Sequence, residues 1–173
     1  MSELDEAWAA ALSEAELRAR RAGRGDVADY IALRNSNDLL RTAGIDWLVT
    51  SFLNHAGEAN REGAAIQMAS TDNHRFRIGN STMVGRLITF TNGVRKLFVE
   101  AGWPRVPRDG IVRGGGLAAA QIRHHGIRSA DDELLLSRSA AGSPQWTAVT
   151  KQRYPFLEYH IRHHLAVLLD DSL

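Results

Sequence analysis

The run Leu87-Ile88-Thr89-Phe90-Thr91-Asn92-Gly93-Val94-Arg95-Lys96-Leu97-Phe98-Val99 decides the fold. Two β-rich segments flank Asn92-Gly93, and that dipeptide favours a primed turn whose twist matches paired strands. The run therefore reads as an antiparallel hairpin with Asn92 and Gly93 in its turn. Upstream, His74-Arg75-Phe76-Arg77-Ile78 alternates polar and apolar residues, as a half-buried strand does. Gly79-Asn80-Ser81 marks a turn or bulge, and Ala65 to Ala69 suits another strand. Further strands are expected at Ala118 to His124, Glu133 to Arg138 and Trp146 to Thr150. Three consecutive alanines leave the first of these open to a helical reading. Residues 64–150 thus form an antiparallel meander containing a long loop at 100–116.

Helical periods flank the meander. Leu4, Trp8, Leu12 and Ala15 make one stripe of a helical arm over residues 1–24, ended by Gly23 and Gly25. Residues 26–62 are helical too: Asp26 is placed to cap, and the polar run Arg34-Asn35-Ser36-Asn37-Asp38 predicts a break or a second cap. Beyond it, Leu40, Ile45, Trp47, Leu48, Val49, Phe52 and Leu53 form a wide apolar stripe, the mark of a deeply packed helix. A closing helix is expected over 153–170, with Pro155 in its first turn and Leu157, Ile161, Leu165 and Leu168 facing the core. The expected architecture is α+β: N-terminal helices, then a curved antiparallel sheet of about five to seven strands, then a C-terminal helix packed on the sheet. The 173 residues suit a single domain.

Composition narrows the function classes. The chain has no cysteine, which excludes disulfides, thiol catalysis and Cys-based metal sites. No apolar run is long enough to span a bilayer, and the acidic N-terminus does not read as a secretory signal, so the expectation is a cytoplasmic protein without membrane partners. The net charge of +1 argues against a dedicated duplex-DNA binder. Of the 21 basic residues, 19 are arginine, so their placement matters more than their number.

The 100–116 loop carries the strongest functional signal, since loops of that length in compact domains are usually functional or disordered. Trp103, Val106, Ile111 and Val112 give it apolar anchors. Arg105, Arg108 and Arg113 offer forked donors to phosphate or carboxylate oxygens, Gly114, Gly115 and Gly116 allow an anion-binding nest, and Trp103 offers a flat face. The spacing matches neither a Walker A loop nor a dinucleotide fingerprint.

Other candidates are weaker. His124 and His125 would point to opposite faces of a strand, leaving one as an acid–base group, and Glu100, opening the loop, is either a base or an internal ion-pair partner of Arg105 or Arg113. His160, His163 and His164 share one helix face at metal-ligand spacing but lack the glutamate of a zincin motif. No cofactor is implied. The leading expectation is binding of an anionic, phosphate-bearing small molecule, or of single-stranded nucleic acid, through the loop. The alternatives are a hydrolase or transferase using His124 or His125 on a phosphorylated substrate, and a homodimeric interaction protein docking through the Trp8 helix.

Overall fold

The computed structural model describes residues 3–170. Helices α1 (Glu3–Arg21) and α2 (Gly25–Arg61) precede seven strands: β1 (Gln67–Ile78), β2 (Ser81–Asn92), β3 (Arg95–Trp103), β4 (Ala118–His124), β5 (Asp132–Arg138), β6 (Pro144–Ala148) and β7 (Tyr154–Pro155). Helix α3 (Glu158–Leu169) follows. The strands make one antiparallel sheet in sequence order, open at β1 and β7. The fold is α+β, and residues 118–124 are strand. No described helix is long and apolar enough to cross a membrane.

The central hairpin forms, but its turn lies one residue later than Asn-Gly chemistry suggests. Asn92 pairs with Arg95, so Gly93 and Val94 are the turn residues, and Gly93 takes φ +60°. This register sets Phe90 against Leu97 and Ile88 against Val99, four buried side chains on the helix-facing side. A turn centred on Asn92-Gly93 would instead oppose Phe90 to Arg95. Burial across the strands outweighs local turn preference.

Other boundaries shift for similar reasons. The two strand segments expected before residue 79 are one strand, β1, with a bulge between Thr71 and His74 and Asn73 at φ 52°. Helix α2 runs unbroken through Arg34–Asp38, because that polar run has partners: Arg138 Nη2 donates to Ser36 Oγ (3.0 Å) and Asn37 Oδ1 (3.3 Å), and Asp38 pairs with Arg41 (2.8 Å). Gly25 begins α2 instead of ending α1, which leaves Asp26 inside the first turn rather than capping. Pro155 belongs to β7, and α3 starts three residues later, where the Leu157 N–H donates to His160 Nδ1 (3.0 Å). Strand β3 continues to Trp103, so Glu100 sits within a strand and the loop is shorter than expected.

The main core lies between the sheet and the helices. Leu48, Phe52 and Ala56 of α2 and Ile161, Leu165 and Leu168 of α3 pack on Ile88, Phe90, Leu97, Ile122, Leu134 and Leu136. Leu157, by contrast, is exposed. Trp146 Nε1 donates to the Gly44 carbonyl (2.8 Å), tying β6 to α2. In α2 the buried positions begin in earnest at Leu40; before it only Ala28 is buried, against α1.

A second, smaller core forms on the other side of the sheet. Gly85 and Gly102 face each other across β2 and β3, where a Cβ on Gly85 would stand 1.9 Å from the Ala101 carbonyl oxygen. Only glycine permits this approach, and it lets the ladder bend sharply. The β1–β2 tip then folds over the sheet, and Phe76, Ile78 and Met83 cover Ala119, with Val112 of the loop packed among them. Gln121 of β4 donates to the Arg77 carbonyl of β1 (3.5 Å), although the two strands are not neighbours.

Candidate functional site

The loop after β3 makes two short 3-10 turns, Pro107–Asp109 and Arg113–Gly115. Asp109 is buried and pins the loop from within: its carboxylate accepts from Arg75 Nη2 (3.1 Å) and from the Arg105 backbone N–H (3.4 Å). Ser81 Oγ donates to the Ile111 carbonyl (2.7 Å) and accepts from the Ile111 N–H (3.2 Å). Val112 is the buried apolar anchor. Val106 and Ile111, expected as anchors, point outward instead.

The three loop arginines do not converge. Arg105 lies flat on Trp103, its Cζ 3.5 Å from the ring centroid, and donates to the Val84 carbonyl (3.3 Å). Arg113 packs across the β1–β2 turn, where a Cβ on Gly79 would meet its guanidinium at 2.7 Å. Arg108 is exposed and has no partner among the described residues. Packing explains the last glycine of the run: a Cβ on Gly116 would stand 2.2 Å from Leu135 Cδ1. Gly114 and Gly115 both take positive φ, and the Gly115 N–H already bonds to the Val112 carbonyl (3.3 Å).

A cleft does form beside Trp103, where Arg105 is joined by arginines of α2 and β2. Its volume is about 420 Å³ on one side of the Trp103–Arg105 stack and about 720 Å³ on the other. Among the described residues, the smaller side has Asp38, Asp46 and Asp72 against Arg86 and Arg105, an acidic balance; Arg86 spans Asp72 (3.3 Å) and Asp46 (3.6 Å) there. Among the described residues, the larger side has Arg34, Arg41 and Arg105 against Asp38. Arg41 is held by the Leu117 carbonyl (2.7 Å at Nε) and by Asp38 (2.8 Å at Nη1), with its Cζ 5.8 Å from the Trp103 centroid. Arg34 has no partner among the described residues. Sequence reasoning found Trp103 and Arg105 but missed Arg34 and Arg41. They lie some 65 residues upstream on α2, and no local pattern links the segments.

Glu100 is buried under the folded-over tip, away from the cleft. Its Oε1 accepts from His74 Nε2 (2.9 Å) and Arg123 Nη2 (3.1 Å), so its partners are neither Arg105 nor Arg113.

The histidines form a separate cluster. His124 and His164 are buried between β4 and α3, and their rings stack at 5.2 Å. His124 Nε2 is 2.9 Å from His164 Nδ1, and His164 Nε2 is 3.0 Å from Asp132 Oδ2. The carboxylate requires a donor at His164 Nε2. With a neutral His164 ring, its Nδ1 then accepts and His124 Nε2 donates. Burial pushes the His124 pKa down to about 4; the neighbouring His164 and His163 add to the effect and Asp132 opposes it. Tyr154 OH lies 3.5 Å from the same Asp132 oxygen, and burial raises its pKa. Asp132, Tyr154 and His164, with Asp131, Lys151 and His163, line a cleft of about 450 Å³.

His160 stacks on Tyr154 and Phe156 and caps α3 through Nδ1; burial lowers its pKa. His160 and His164 therefore serve different networks instead of sharing one ion. His125 is exposed in the turn after β4. His124 is six residues along β4 from Ala118, about 20 Å at strand rise, so the imidazoles and the arginine cleft are not brought together. The Trp8 side chain lies outside the described residues. Comparison of the chain with protein-family models, with curated proteins and with solved structures finds no match.

Proposed function

We propose that the protein binds an anionic ligand, carrying a phosphate or carboxylate group, in the larger cleft between α2 and the loop. The observation that carries the reading is the charge balance of that cleft among the described residues: three guanidiniums against one carboxylate, around a tryptophan on which one of them is already stacked. The stack and the Val84 and Leu117 carbonyls hold Arg105 and Arg41 in place before any ligand arrives. Less side-chain entropy is then lost on binding. Forked, preset guanidiniums suit phosphate and carboxylate oxygens. Single-stranded nucleic acid fits less well, because Arg105 takes up a face of Trp103 that a base would need. The hydrolase alternative gains no support from the geometry, since no histidine lines this cleft.

The test is thermal unfolding of the full chain with inorganic phosphate and ethyl phosphate at constant ionic strength. A ligand that binds only the folded state raises the midpoint in a concentration-dependent way. The rise should be lost in Arg34→Gln with Arg105→Gln and kept in Arg108→Gln with Arg113→Gln. No rise with either anion, or loss only in the second pair, overturns the reading.

A further inference from the structure

We infer that the ligand of this cleft is an anionic amphiphile: a phosphate or carboxylate headgroup carried on an aliphatic chain and taken up as a single molecule from solution. This rests on the anion-binding reading above and goes beyond it in naming the body of the ligand.

The cleft has two chemically distinct zones. Arg34, Arg41 and Arg105 gather around Trp103, and the outer wall is apolar, aliphatic apart from the Tyr30 ring. Tyr30 and Leu33 of α2 are 64% and 56% exposed, and Val106 and Ile111 of the loop face them from the other side at 41% and 79%. Scattered exposed apolar residues need no explanation, but a facing set that lines one cavity is a binding surface. Pro104 and Pro107 stiffen the loop wall, and Asp109 and Ser81 fix its base, so the wall exists before a ligand arrives.

The aromatic alternative is weaker on the same evidence. Among the described residues, the one tryptophan of the cleft is covered on one face by Arg105 at 3.5 Å, so a planar ring stacking there has to displace a cation. An aliphatic chain needs no stacking face. It needs a trough of exposed carbon at one end of a cationic pocket, and about 720 Å³ is ample for a headgroup and a chain of moderate length.

Isothermal titration of the full chain with ethyl, butyl and octyl phosphate, each below its aggregation concentration, tests the inference, with adenosine monophosphate and phosphatidylglycerol vesicles as the other arms. A fully buried methylene is worth about fourfold in affinity and one half in water about twofold. Octyl phosphate should therefore bind on the order of 50-fold more tightly than ethyl phosphate. Leu33→Ser with Ile111→Ser should collapse that ratio towards one, and Val94→Ser, on the exposed β2–β3 turn, should leave it intact. Equal affinity for all three alkyl phosphates overturns the aliphatic assignment but leaves anion binding standing, as does tightest binding of adenosine monophosphate. Binding to vesicles without binding to monomeric octyl phosphate also overturns it. If no anion binds at all, the anion-binding reading beneath the inference fails as well.

Discussion

His124 makes acid stability a direct readout of the buried imidazole pair. Its pKa stands at about 4 in the fold, against an ordinary value near 6.5 in the unfolded chain. Above pH 6.5 the group is neutral in both states and adds no pH dependence. As the pH falls below 6.5 the unfolded chain takes up a proton that the folded chain refuses, so stability declines until the folded pKa is passed. The difference of about 2.5 units is worth about 3 kcal/mol in total, of which about 2.5 kcal/mol is gone by pH 4.5. Domains of this kind have about 5–15 kcal/mol to lose. The perturbation is His124→Gln, whose amide keeps a donor for His164 Nδ1 and does not titrate. Urea unfolding at half-unit steps from pH 7.5 to 4 should show the wild-type curve falling away from the variant by about 3 kcal/mol at the acid end. Parallel curves, or an NMR titration in which the His124 ring protonates near pH 6.5, would refute the argument that burial between β4 and α3 keeps it neutral.

Two further predictions follow from packing. Gly85→Ala places a Cβ against the Ala101 carbonyl, a backbone atom that cannot rotate away, and should destabilise by about 3 kcal/mol or prevent folding; chemical denaturation, with circular dichroism as the readout, would detect it. Trp146→Phe removes the donor to the Gly44 carbonyl and leaves a small void between β6 and α2, at a cost of about 1–2 kcal/mol in the same assay.

The parts of the fold legible in the sequence were those where one segment carries its own signal. The two β-rich runs flanking Asn92-Gly93 in 87–99 announced the hairpin, and the wide stripe from Leu40 to Leu53 announced the buried half of α2. What was not legible depends on partners far along the chain. Ser36 and Asn37 look like a helix break until Arg138 arrives a hundred residues later. Glu100 and His124 look like open-ended chemistry until His74, Arg123 and His164 enclose them. The cleft follows the same rule. Trp103 and Arg105 could be singled out from an unusual loop, but two of the three guanidiniums come from a helix whose arginines look like ordinary surface residues.

The bend at Gly85 and Gly102 has a consequence for how the molecule opens. The β1–β2 tip carries its own small core, and it is stitched to the cleft wall by Ser81 to Ile111 and by Arg75 to Asp109. Tip and wall thus form one cooperative unit, separable from the larger core on the helix side. Fluctuations that release Phe76, Ile78 and Met83 should also release the loop, and amide hydrogens in the two segments should exchange together. Anything gripping Val106 and Ile111 would then slow exchange along the tip, at residues it never touches.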